Sequence, residues 1–460
     1  MSRLTDMKRP AFRSGLAATM MALGFLLSGC PEEGEKCGEG LTVCGSTCVD
    51  LSSATNNCGA CGATCGGSQV CVEGACRACT AGICTYDVVA TCFNTGQVVA
   101  LQADSGIKGP NIQVGDRPFT AAPMQDVLLV VDAAKKLREA RMADFATLPE
   151  APATGDAPNQ VLVNDPYAYV VNSLSNTLLV FERKAQPGTL TNGTFFPQGL
   201  QLEPVASVDL GANTNPFAAV LLGSELWVTL YGNLIGDVSA GGKVARVNMA
   251  NPSQPELLSQ IALPSGDRLQ PFPGSTPVPT PTGIVVHRGQ IYVALNNVDP
   301  NTFAPGGPGM VARISPDRAS VTYLPLGERC LNAGWLASAG DKLVVSCAGK
   351  STYDANFNLV AVESSALALL DEQDAVVDIY PIECPAASGS NCALPSAGRF
   401  AVVGNQILLG DNNAGRVFVV EVSGSKLIGK RTLEPQKPQP ILACPSESGF
   451  SLVGDVVAIP

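Results

Sequence analysis

Histidine is nearly absent from this chain, which contains only one, His287, in 460 residues. Zinc, copper and haem sites built from several histidines are therefore excluded by count alone. A nucleophile that is activated by histidine needs that side chain beside it in a cleft. His287 lies in the stretch IVVHRGQIYV, at a tight turn between two predicted strands, and we expect it to be exposed there.

Charge is also sparse, since charged residues make up 15% of the sequence and acidic residues outnumber basic ones by 40 to 29. Omitting residues 1–29, which hold four basic residues and one acidic residue, changes the net charge from −11 to −14. A dilute acidic charge argues against binding to nucleic acid and against electrostatic adhesion to anionic lipid. No glycine-rich loop joins a strand to a helix, so nucleotide binding has no support.

Long apolar runs are absent after the first 30 residues, so no later segment is predicted to span a membrane. The N-terminus has basic residues at Lys8, Arg9 and Arg13 before a short apolar run at 15–27, which is typical of a secretory signal. The run leads into LSGC (27–30), which resembles the lipobox of bacterial lipoproteins.

In that family the cysteine of the motif is diacylated and becomes the first residue of the mature protein. The resemblance implies a signal peptide at 1–29, lipidation of Cys30 and membrane attachment through the lipid alone. Several acyl chains on one cysteine bind a membrane much more strongly than a single chain does. Pro31 stands where aspartate marks inner-membrane retention in that family, which favours the outer membrane or cell surface. An ordinary signal peptide that is cleaved elsewhere is the alternative.

Ten cysteines lie within residues 37–84, a segment poor in large apolar side chains. Such a segment cannot bury enough surface to fold without cross-links, and export to an oxidising compartment favours five disulfides. Two C-x2-C spacings, at 58–61 and 76–79, would also suit zinc, which is the alternative. The stretch CGSTCVDLSSATNNCGACGATC (44–65) resembles the cysteine-rich modules of some bacterial surface lipoproteins, which implies a stalk after a short linker at 30–36.

From residue 85 onwards, short β-rich runs are separated by Gly, Pro, Asn and Asp, which is typical of an all-β ring or sandwich. Seven runs align by content: VLLVVDA (127–133), AYVVNS (168–173), LWVTLY (226–231), IYVALN (291–296), LVVSCA (343–348), ILLGDN (407–412) and VVAIP (456–460). Most are followed by a polar turn and a second run, as in TLLVFER (177–183), and then by a third run. This pattern resembles the YVTN-type β-propeller repeat, most closely in YVVNSLSNTLLVF (169–181), and implies a ring of four-stranded blades.

The blade count depends on how the ring closes. If the strands of a blade are labelled A to D from the axis outwards, the seven runs are predicted B strands. The last run lacks C and D strands, and GQVVALQ (96–102) with NIQVG (111–115) is predicted to supply them. A ring closed by strands from both chain ends leaves no open edge, so we predict a seven-bladed β-propeller over 85–460. DVVATC, which begins at residue 87, is similar to the C-terminal DVVAIP, and both runs could occupy the same strand position where the ring closes. Eight blades are therefore the alternative.

The cysteines of the ring have positions in the repeat that suggest their partners. Cys330 lies where a D strand passes into strand A, and Cys347 ends strand B of the same blade. Cys444 occupies the equivalent D–A corner of the last blade. The position equivalent to Cys347 in that blade falls where the two chain ends meet, at Cys92. We therefore predict three disulfides: Cys330–Cys347, Cys92–Cys444 and Cys384–Cys392, which closes a short loop. Free buried thiols are the alternative.

Calcium is the one cofactor that the sequence leaves open; otherwise none is predicted. Some propeller lactonases and esterases hold a central cation with Asn, Asp and Glu, whose hard oxygen atoms suit calcium. Four such residues lie at the ends of predicted B strands: Asn172, Asn296, Asp411 and Asn412. Asn and Asp also favour tight turns, which explains the same residues without a metal. A calcium-dependent hydrolase that uses the axial pocket is therefore the alternative function.

Long connections gather on one face of the predicted ring, where the B–C and D–A loops emerge. Three consecutive B–C connections are enlarged, at 231–242, 296–309 and 348–365, together with a proline-rich D–A segment at 264–282. Insertions on one face of a repeat ring often mark a binding surface, although loops also grow neutrally. Five aromatic residues fall on this long-loop face: Tyr231, Phe272, Phe303, Tyr353 and Phe357.

Together these features predict a lipid-anchored cell-surface propeller that binds a protein or polysaccharide through its long-loop face. We expect a binding module rather than an enzyme, with the hydrolase as the second class. A purely structural role in a surface layer is a third hypothesis.

Overall fold

The computed structural model describes most of the chain from residue 86 onwards and short pieces before it. The described residues are 42–44, 47–49, 51, 57–63, 69–72, 74–78 and 86–459, the last range without 104–107, 125–126, 142–146, 149–150, 185–188, 192–193, 197–200, 235–237, 316, 318–319, 384–393, 431–439 and 445–451. The helices in these ranges are two 3-10 turns, Val238–Ala240 and Gly266–Leu269. No helix among the described residues is long and apolar enough to cross a membrane.

Seven antiparallel sheets form the blades of a propeller, each with strand A innermost. Blade 1 consists of Pro118–Met124, Val127–Asp132 and Lys136–Arg141, blade 2 of Pro158–Asn164, Tyr167–Asn172, Thr177–Arg183 and Leu202–Asp209, and blade 3 of Pro216–Leu222, Glu225–Leu230, Lys243–Asn248 and Glu256–Ala262. Blade 4 consists of Pro281–His287, Gln290–Leu295, Met310–Ile314 and Val321–Pro325, blade 5 of Ala333–Ala339, Lys342–Cys347, Ala366–Leu370 and Val376–Pro381, and blade 6 of Ala397–Val403, Gln406–Asp411, Arg416–Ser423 and Lys426–Gly429, with Ile441–Leu442 also paired to its strand C.

Blade 7 closes the ring with strands from both ends of the chain. Its strands A to D are Val453–Ala458, Val88–Cys92, Gln97–Leu101 and Lys108–Gln113. The strand A of every blade contacts the strand A of the next blade, and that of blade 7 contacts that of blade 1, so the ring is complete. The predicted all-β, seven-bladed propeller is confirmed.

The division of blade 7 between the two chain ends differs from the prediction. The C-terminal run was expected as strand B, but it forms strand A and pairs antiparallel with the near-identical Val88–Cys92, with Val456 opposite Ala90. Both copies of the duplicated sequence are used, side by side in one sheet, so the duplication does not add an eighth blade. One C-terminal strand and three N-terminal strands complete the ring.

Burial follows from the position of each blade between two others. In strand B of blade 2, Ala168 and Val170 pack towards blade 1, whereas Tyr169 and Val171 pack towards blade 3. Alternate side chains of a strand point to opposite faces, so every residue of a strand between two blades enters a core. The result is seven apolar clusters, one between each pair of neighbouring blades. This explains why the B strands are continuous apolar runs.

Each strand A begins with a register shift against strand B, and this irregularity recurs in all seven blades. In four blades the first residue is proline: Pro118, Pro158, Pro216 and Pro281. Proline is accepted at the first residue of a strand or at a bulge because it has no N–H to donate. The shift changes the side-chain alternation where strand A enters the axis from the long-loop face.

Two of the predicted ring disulfides are present in the structure. Cys330 is bonded to Cys347, with their Cα atoms 5.2 Å apart, and Cys92 is bonded to Cys444, with their Cα atoms 5.4 Å apart. The second bond joins strand B of blade 7 to a residue 352 positions later. The predicted Cys384–Cys392 pair lies outside the described residues.

The described part of the cysteine-rich segment contains two short hairpins, Thr42–Cys44 with Thr47–Val49 and Gln69–Val72 with Ala75–Ala78. The four cysteines whose side chains are described here, Cys44, Cys58, Cys61 and Cys76, are all in disulfides, and one bond is Cys44–Cys61. Cys61 is therefore not free to act as a zinc ligand with Cys58. The disulfides are consistent with an oxidising, exported location.

Candidate functional site

Exposed large apolar side chains are concentrated on the long-loop face. Six of them lie in B–C connections: Leu174, Val238, Phe303, Tyr353, Phe357 and Val360. The others found on the described part of the ring, Leu258, Ile428 and Leu442, lie on strands at or near the outer edges of blades 3 and 6. The tight A–B turns of the opposite face contribute none of these side chains. Among the residues whose side chains are described, the two faces of the ring therefore differ in their exposed apolar side chains.

A cavity of about 360 Å³ opens on the long-loop face among the connections of blades 2, 3 and 4. Its described lining consists of Ser173, Leu174, Asn176, Asn213, Asn215, Tyr231, Gly232, Asn233, Leu234 and Phe303. None of these ten residues carries a charge. The volume falls in the lower part of the range, roughly 300–1,000 Å³, that small-molecule pockets occupy.

A turn built on Asp299 holds Phe303 at the edge of this cavity. The Asp299 carboxylate accepts the N–H of Asn301 at 2.8 Å, and its carbonyl oxygen accepts the N–H of Phe303, also at 2.8 Å. The backbone of Phe303 is left-handed, with φ of 58°, which is unusual for a bulky residue. Its side chain is nevertheless 56% exposed. The turn therefore displays an aromatic ring that the core does not use.

The projecting hairpin of blade 5, Lys350–Tyr353 with Leu359–Glu363, repeats this arrangement at its tip. The Asp354 carboxylate accepts the N–H of Asn356 at 2.8 Å, and the Asp354 carbonyl oxygen accepts the N–H of Phe357 at 3.0 Å. Phe357 has φ of 61° and is 84% exposed. Phe357 does not line the cavity, so the same turn displays one ring beside the pocket and one away from it.

The other three aromatic residues predicted for this face differ in exposure. Tyr353 lies on the projecting hairpin and is exposed, whereas Phe272 is half-buried, where its N–H donates to the carbonyl oxygen of Gly306. Tyr231 lines the cavity, and its ring lies 6.1 Å from that of Phe217 in strand A of blade 3. Burial raises the pKa of Tyr231, against a hydrogen bond from the Asn296 amide.

The candidate calcium ligands make separate hydrogen bonds and ion pairs instead of being brought together. Oδ1 of Asn172 accepts the N–H of Gly155 at 3.0 Å, and Oδ1 of Asn296 accepts the hydroxyl of Thr282 at 3.3 Å. The amide of Asn412 donates to the carbonyl oxygen of Ala397 at 3.1 Å.

Asp411 is fully buried, and both of its oxygen atoms have partners. Oδ1 accepts the N–H groups of Ser396 and Asn413 at 3.1 and 2.9 Å, and Oδ2 lies 2.6 Å from Nη2 of Arg416. Burial raises the pKa of this carboxyl, and the Arg416 guanidinium opposes that rise. These contacts, like those of Asn172 and Asn296, do not fit a shared calcium site, and the described residues contain no cluster of three or more His, Cys, Asp or Glu that could hold a metal.

The axis of the ring is occupied by side chains from several blades near the long-loop face. The guanidinium carbon of Arg399, in blade 6, lies 4.5 Å from the ring centre of Trp335 in blade 5 and 5.5 Å from that of Phe217 in blade 3. Nη1 of Arg399 lies 3.5 Å from Oδ2 of Asp455, which also accepts the Thr120 hydroxyl. Blades 3 and 6 are on opposite sides of the ring, so Arg399 spans the axis at this level. Burial raises the pKa of Asp455, against the attraction of Arg399.

His287 is buried, contrary to the expectation of an exposed turn residue. It is the last residue of strand A in blade 4, and Nδ1 lies 2.8 Å from Oγ of Ser338 in strand A of blade 5. The edge of its ring packs on Tyr292. Burial, followed by the nearby charge of Arg288, lowers the pKa of His287. The sequence pattern located the turn but could not show that a neighbouring blade covers it.

Sequence reasoning missed most of the lining of the cavity. Leu174 and the asparagines at 176, 213 and 215 lie in turns of ordinary length, which gave no reason to single them out, whereas Asn233 lies in the enlarged connection 231–242. Three of these asparagines have left-handed backbone, with φ of 56°, 60° and 47° for Asn176, Asn213 and Asn215. A run of asparagine in the D–A connection after blade 2 was the available signal. Cys30 lies outside the described residues.

No family model matches the chain, and no curated protein matches its sequence. Among solved structures, the fold is similar to a candidate 6-phosphogluconolactonase from Bacteroides fragilis, with 10% identity, a TM-score of 0.51 and coverage of 82% of this chain and 98% of that one. A protein from Lactobacillus plantarum shares 12% identity, with a TM-score of 0.52 and coverage of 82% and 99%. A candidate 6-phosphogluconolactonase from Bacteroides uniformis shares 12% identity, with a TM-score of 0.50 and coverage of 77% and 98%. At these identities the similarities concern the fold alone.

Proposed function

We propose that this propeller is a binding module that engages a protein or polysaccharide through its long-loop face. The observation that carries the proposal is the concentration of six exposed large apolar side chains in the B–C connections of that face. Exposed apolar patches on soluble proteins mark interaction sites more often than isolated exposed residues do. Aromatic anchors contribute most to binding, and Phe303, Tyr353 and Phe357 are of this kind.

The manner in which the rings are held supports the same proposal. Asp299 and Asp354 fix the turns that carry Phe303 and Phe357, so little backbone freedom remains to be lost there on binding. Bulky residues with left-handed backbone are uncommon, and they cluster at functional sites where the surroundings determine the conformation. Neither ring is needed by the core, because both are mainly exposed.

A photo-cross-linking comparison tests the binding face in the full chain. A diazirine side chain placed at Phe357 should form adducts with the partner on the intact cell. The matched control is the same side chain at Ser224, which is exposed in the A–B turn of blade 3 on the opposite face. Adducts from Ser224 alone, equal adducts from both positions, or none from Phe357 would each overturn the proposal.

Attachment to the outer membrane or cell surface through a lipid on Cys30 is part of the proposal. It is supported by the LSGC motif and by disulfides that suit an exported protein. Cys30→Ser should abolish labelling with a radioactive fatty acid and release the protein from membrane fractions. Retention of the variant in the membrane would contradict this part of the proposal.

A calcium-dependent lactonase or esterase that uses the axial pocket is the second candidate. The observation in its favour is the similarity of fold to two candidate 6-phosphogluconolactonases, together with a buried carboxyl on the axis, Asp455. Against it, Arg399, Trp335 and Phe217 fill the axis at that level. Turnover of a lactone that Asp455→Asn abolishes, or a clear fall in melting temperature on chelation, would favour the hydrolase over the binding module, because a bound ion stabilises the folded state.

A further inference from the structure

We infer that the cavity between the loops of blades 2, 3 and 4 is a binding site for a neutral saccharide. The inference rests on the proposed binding role of the long-loop face and specifies one site and one class of ligand on it. Its basis is the chemistry of the lining, the unpaired polar groups in it and the way in which the aromatic residues are held.

The lining excludes charge. All ten described lining residues are neutral, and four of them are asparagines. A phosphate, sulfate or carboxylate group is held best by the charge-assisted hydrogen bonds of a cationic side chain, and the described lining offers none. The nearby axial cation, Arg399, already lies between two aromatic rings and beside Asp455. A neutral ligand with many polar groups suits this lining better than an anionic one does.

Asparagine side chains match the hydroxyl groups of a sugar. Each amide has two donors and an acceptor, and each hydroxyl both donates and accepts. Among the described residues, the Asn213 amide makes no hydrogen bond and Oδ1 of Asn215 accepts none, while Nδ2 of Asn215 donates to the carbonyl oxygen of Gly232 at 3.3 Å. The cavity therefore holds a donor–acceptor pair at Asn213 and an acceptor at Asn215 that the fold itself does not use.

The aromatic lining supplies an apolar contact for the ring of a sugar. The face of an aromatic ring is electronegative and attracts the weakly positive C–H groups that one face of a pyranose presents. Phe303 stands at the rim of the cavity, and Tyr231 lies in its wall with a hydrogen bond to Asn296. One aromatic platform beside neutral amides recognises both sides of a saccharide, the apolar face and the polar edge.

The site is formed before the ligand arrives. Oδ1 of Asn176 accepts the N–H of Asn215 at 2.9 Å and the hydroxyl of Thr214 at 3.3 Å, which joins the B–C turn of blade 2 to the next D–A connection. Asp299 fixes Phe303 on the other side. A preformed pocket loses little entropy on binding, and this favours recognition of a small rigid unit such as a sugar ring.

The asparagines also have a purely conformational explanation, and one substitution separates the two. Asn tolerates the left-handed backbone that Asn213 adopts, with φ of 60°. Glycine adopts that backbone at least as readily. Asn213→Gly therefore keeps the turn and removes only the amide, so a loss of binding without a loss of melting temperature identifies a ligand contact.

The test uses the full chain and a glycan array that contains neutral and anionic oligosaccharides, followed by calorimetry with the best neutral probe. We expect neutral glycans to bind, Phe303→Ala to weaken binding by about tenfold or more, and Phe303→Tyr to retain it. Asn213→Gly should weaken binding by roughly two- to tenfold at an unchanged melting temperature. The matched control is Phe357→Ala, which changes the same kind of turn outside the cavity and should leave saccharide affinity within about twofold.

Other outcomes separate this inference from the proposed function. Preference for anionic glycans would overturn the ligand class and leave the binding face intact. No glycan bound, with photo-adducts to a protein at Phe357, would overturn the saccharide site while the binding module stands. No glycan and no adduct would remove both proposals. Equal losses from Phe303→Ala and Phe357→Ala would replace the pocket with a broad contact surface.

Discussion

Blades 5 and 7 contain the same cross-link at the same place in the repeat, but the two bonds join very different lengths of chain. In both blades the last residue of strand B is a cysteine bonded to the preceding D–A connection. The Cα distances are nearly equal, 5.2 and 5.4 Å, whereas the sequence separations are 17 and 352 residues. The repeat fixes where a cross-link fits, and the topology of the chain decides how much it stabilises.

Three other blades make this connection without sulfur. Asn172 in blade 2 and Asp411 in blade 6 accept N–H groups of the D–A connection, from Gly155 and Ser396. In blade 1, Asp132 accepts the N–H of Asp116 at 3.4 Å and pairs with Arg138. One position of the repeat thus ties the end of strand B to the D–A corner, either by a disulfide or by a side-chain oxygen that accepts an N–H group. In blades 1 and 6 that oxygen belongs to a carboxylate that is also paired with an arginine of strand C. This is the structural role of Asn172 and Asp411, two of the four residues that the sequence suggested as calcium ligands.

The largest loss of stability is expected at the seam. Cys92→Ser with Cys444→Ser should lower the free energy of unfolding by about 5–6 kcal/mol, because the bond closes a very long loop in the unfolded chain. Denaturant unfolding under non-reducing conditions measures the loss, and hydrogen exchange should show blade 7 opening first. A loss no greater than that from removing the blade 5 disulfide would contradict the claim that the longer loop makes the seam disulfide more stabilising.

The ion pair in blade 6 should come next. Asp411→Ala leaves the buried Arg416 guanidinium without its carboxylate, and we expect a loss of about 3–5 kcal/mol. Asp411→Ala with Arg416→Leu is the control, since removing both charges should restore part of the stability. If the single and double variants are equally stable, the pair is not the source of the effect.

The blade 5 disulfide should contribute less than the seam. Cys330→Ser with Cys347→Ser opens a loop of 17 residues, and the expected loss is about 3 kcal/mol. The same unfolding assay measures it beside the seam variant. The ratio of the two losses tests whether loop length, at nearly equal Cα–Cα distances, sets the contribution.

Of the four interactions tested by substitution, the hydrogen bond from the Gly155 N–H to the Asn172 side chain in blade 2 should contribute least to stability. Asn172→Ala leaves the N–H of Gly155 without its acceptor, which should lower the free energy of unfolding by about 1–2 kcal/mol. Asn172→Asp with Thr177→Arg is the matched control, because it reproduces the Asp411–Arg416 pair of blade 6 and retains an acceptor for the N–H of Gly155. A control variant as unstable as the alanine variant would contradict the shared role.

The smallest effect concerns the loops, where Asp carboxylates accept backbone N–H groups in the same way. Hydrogen bonds from the Asn358 side chain and backbone lower the pKa of Asp354, and those from the backbones of Asn301 and Thr276 lower that of Asp299. A carboxyl whose pKa is lowered in the folded state stabilises that state at pH values above its ordinary pKa of about 3.9. This stabilisation is lost as the pH falls through the lowered pKa. NMR signals of the Phe303 and Phe357 rings should therefore stay constant from pH 7 to 5 and shift only below about pH 4. Asp354→Asn should remove the shift at Phe357 alone.

The sequence predicted the ring well because the signals that define it are local and repeated. Runs such as VLLVV (127–131) are apolar because they lie between two blades, and seven copies made the count possible. The strand assignment in blade 7 failed because Val88–Cys92 and Val453–Ala458 have nearly the same sequence, so that either run could be strand B. Pairing, which only the fold reveals, decides between them.

The candidate site was only half predictable. Loop length and aromatic content indicated the face on which the cavity opens and included Tyr231 and Phe303, but the cavity forms from turns of three blades that are distant in sequence. His287 and the four candidate metal ligands show the same limit. A residue at the end of a strand reads identically in the sequence whether it faces solvent, a neighbouring blade or a backbone N–H group.

The seam also imposes an order on maturation. In a chain that folds as it emerges from its N-terminus, Cys92 follows the ten cysteines of residues 37–84 and precedes its partner Cys444 by 352 residues. During that interval its thiol can attack any bond that the module has already formed, since disulfides exchange through thiolates. The native pairing is then reached either because the module buries its sulfurs first or because an isomerase corrects the exchange. A cross-link that secures the finished ring is thus also the step at which an unfinished one is most easily diverted.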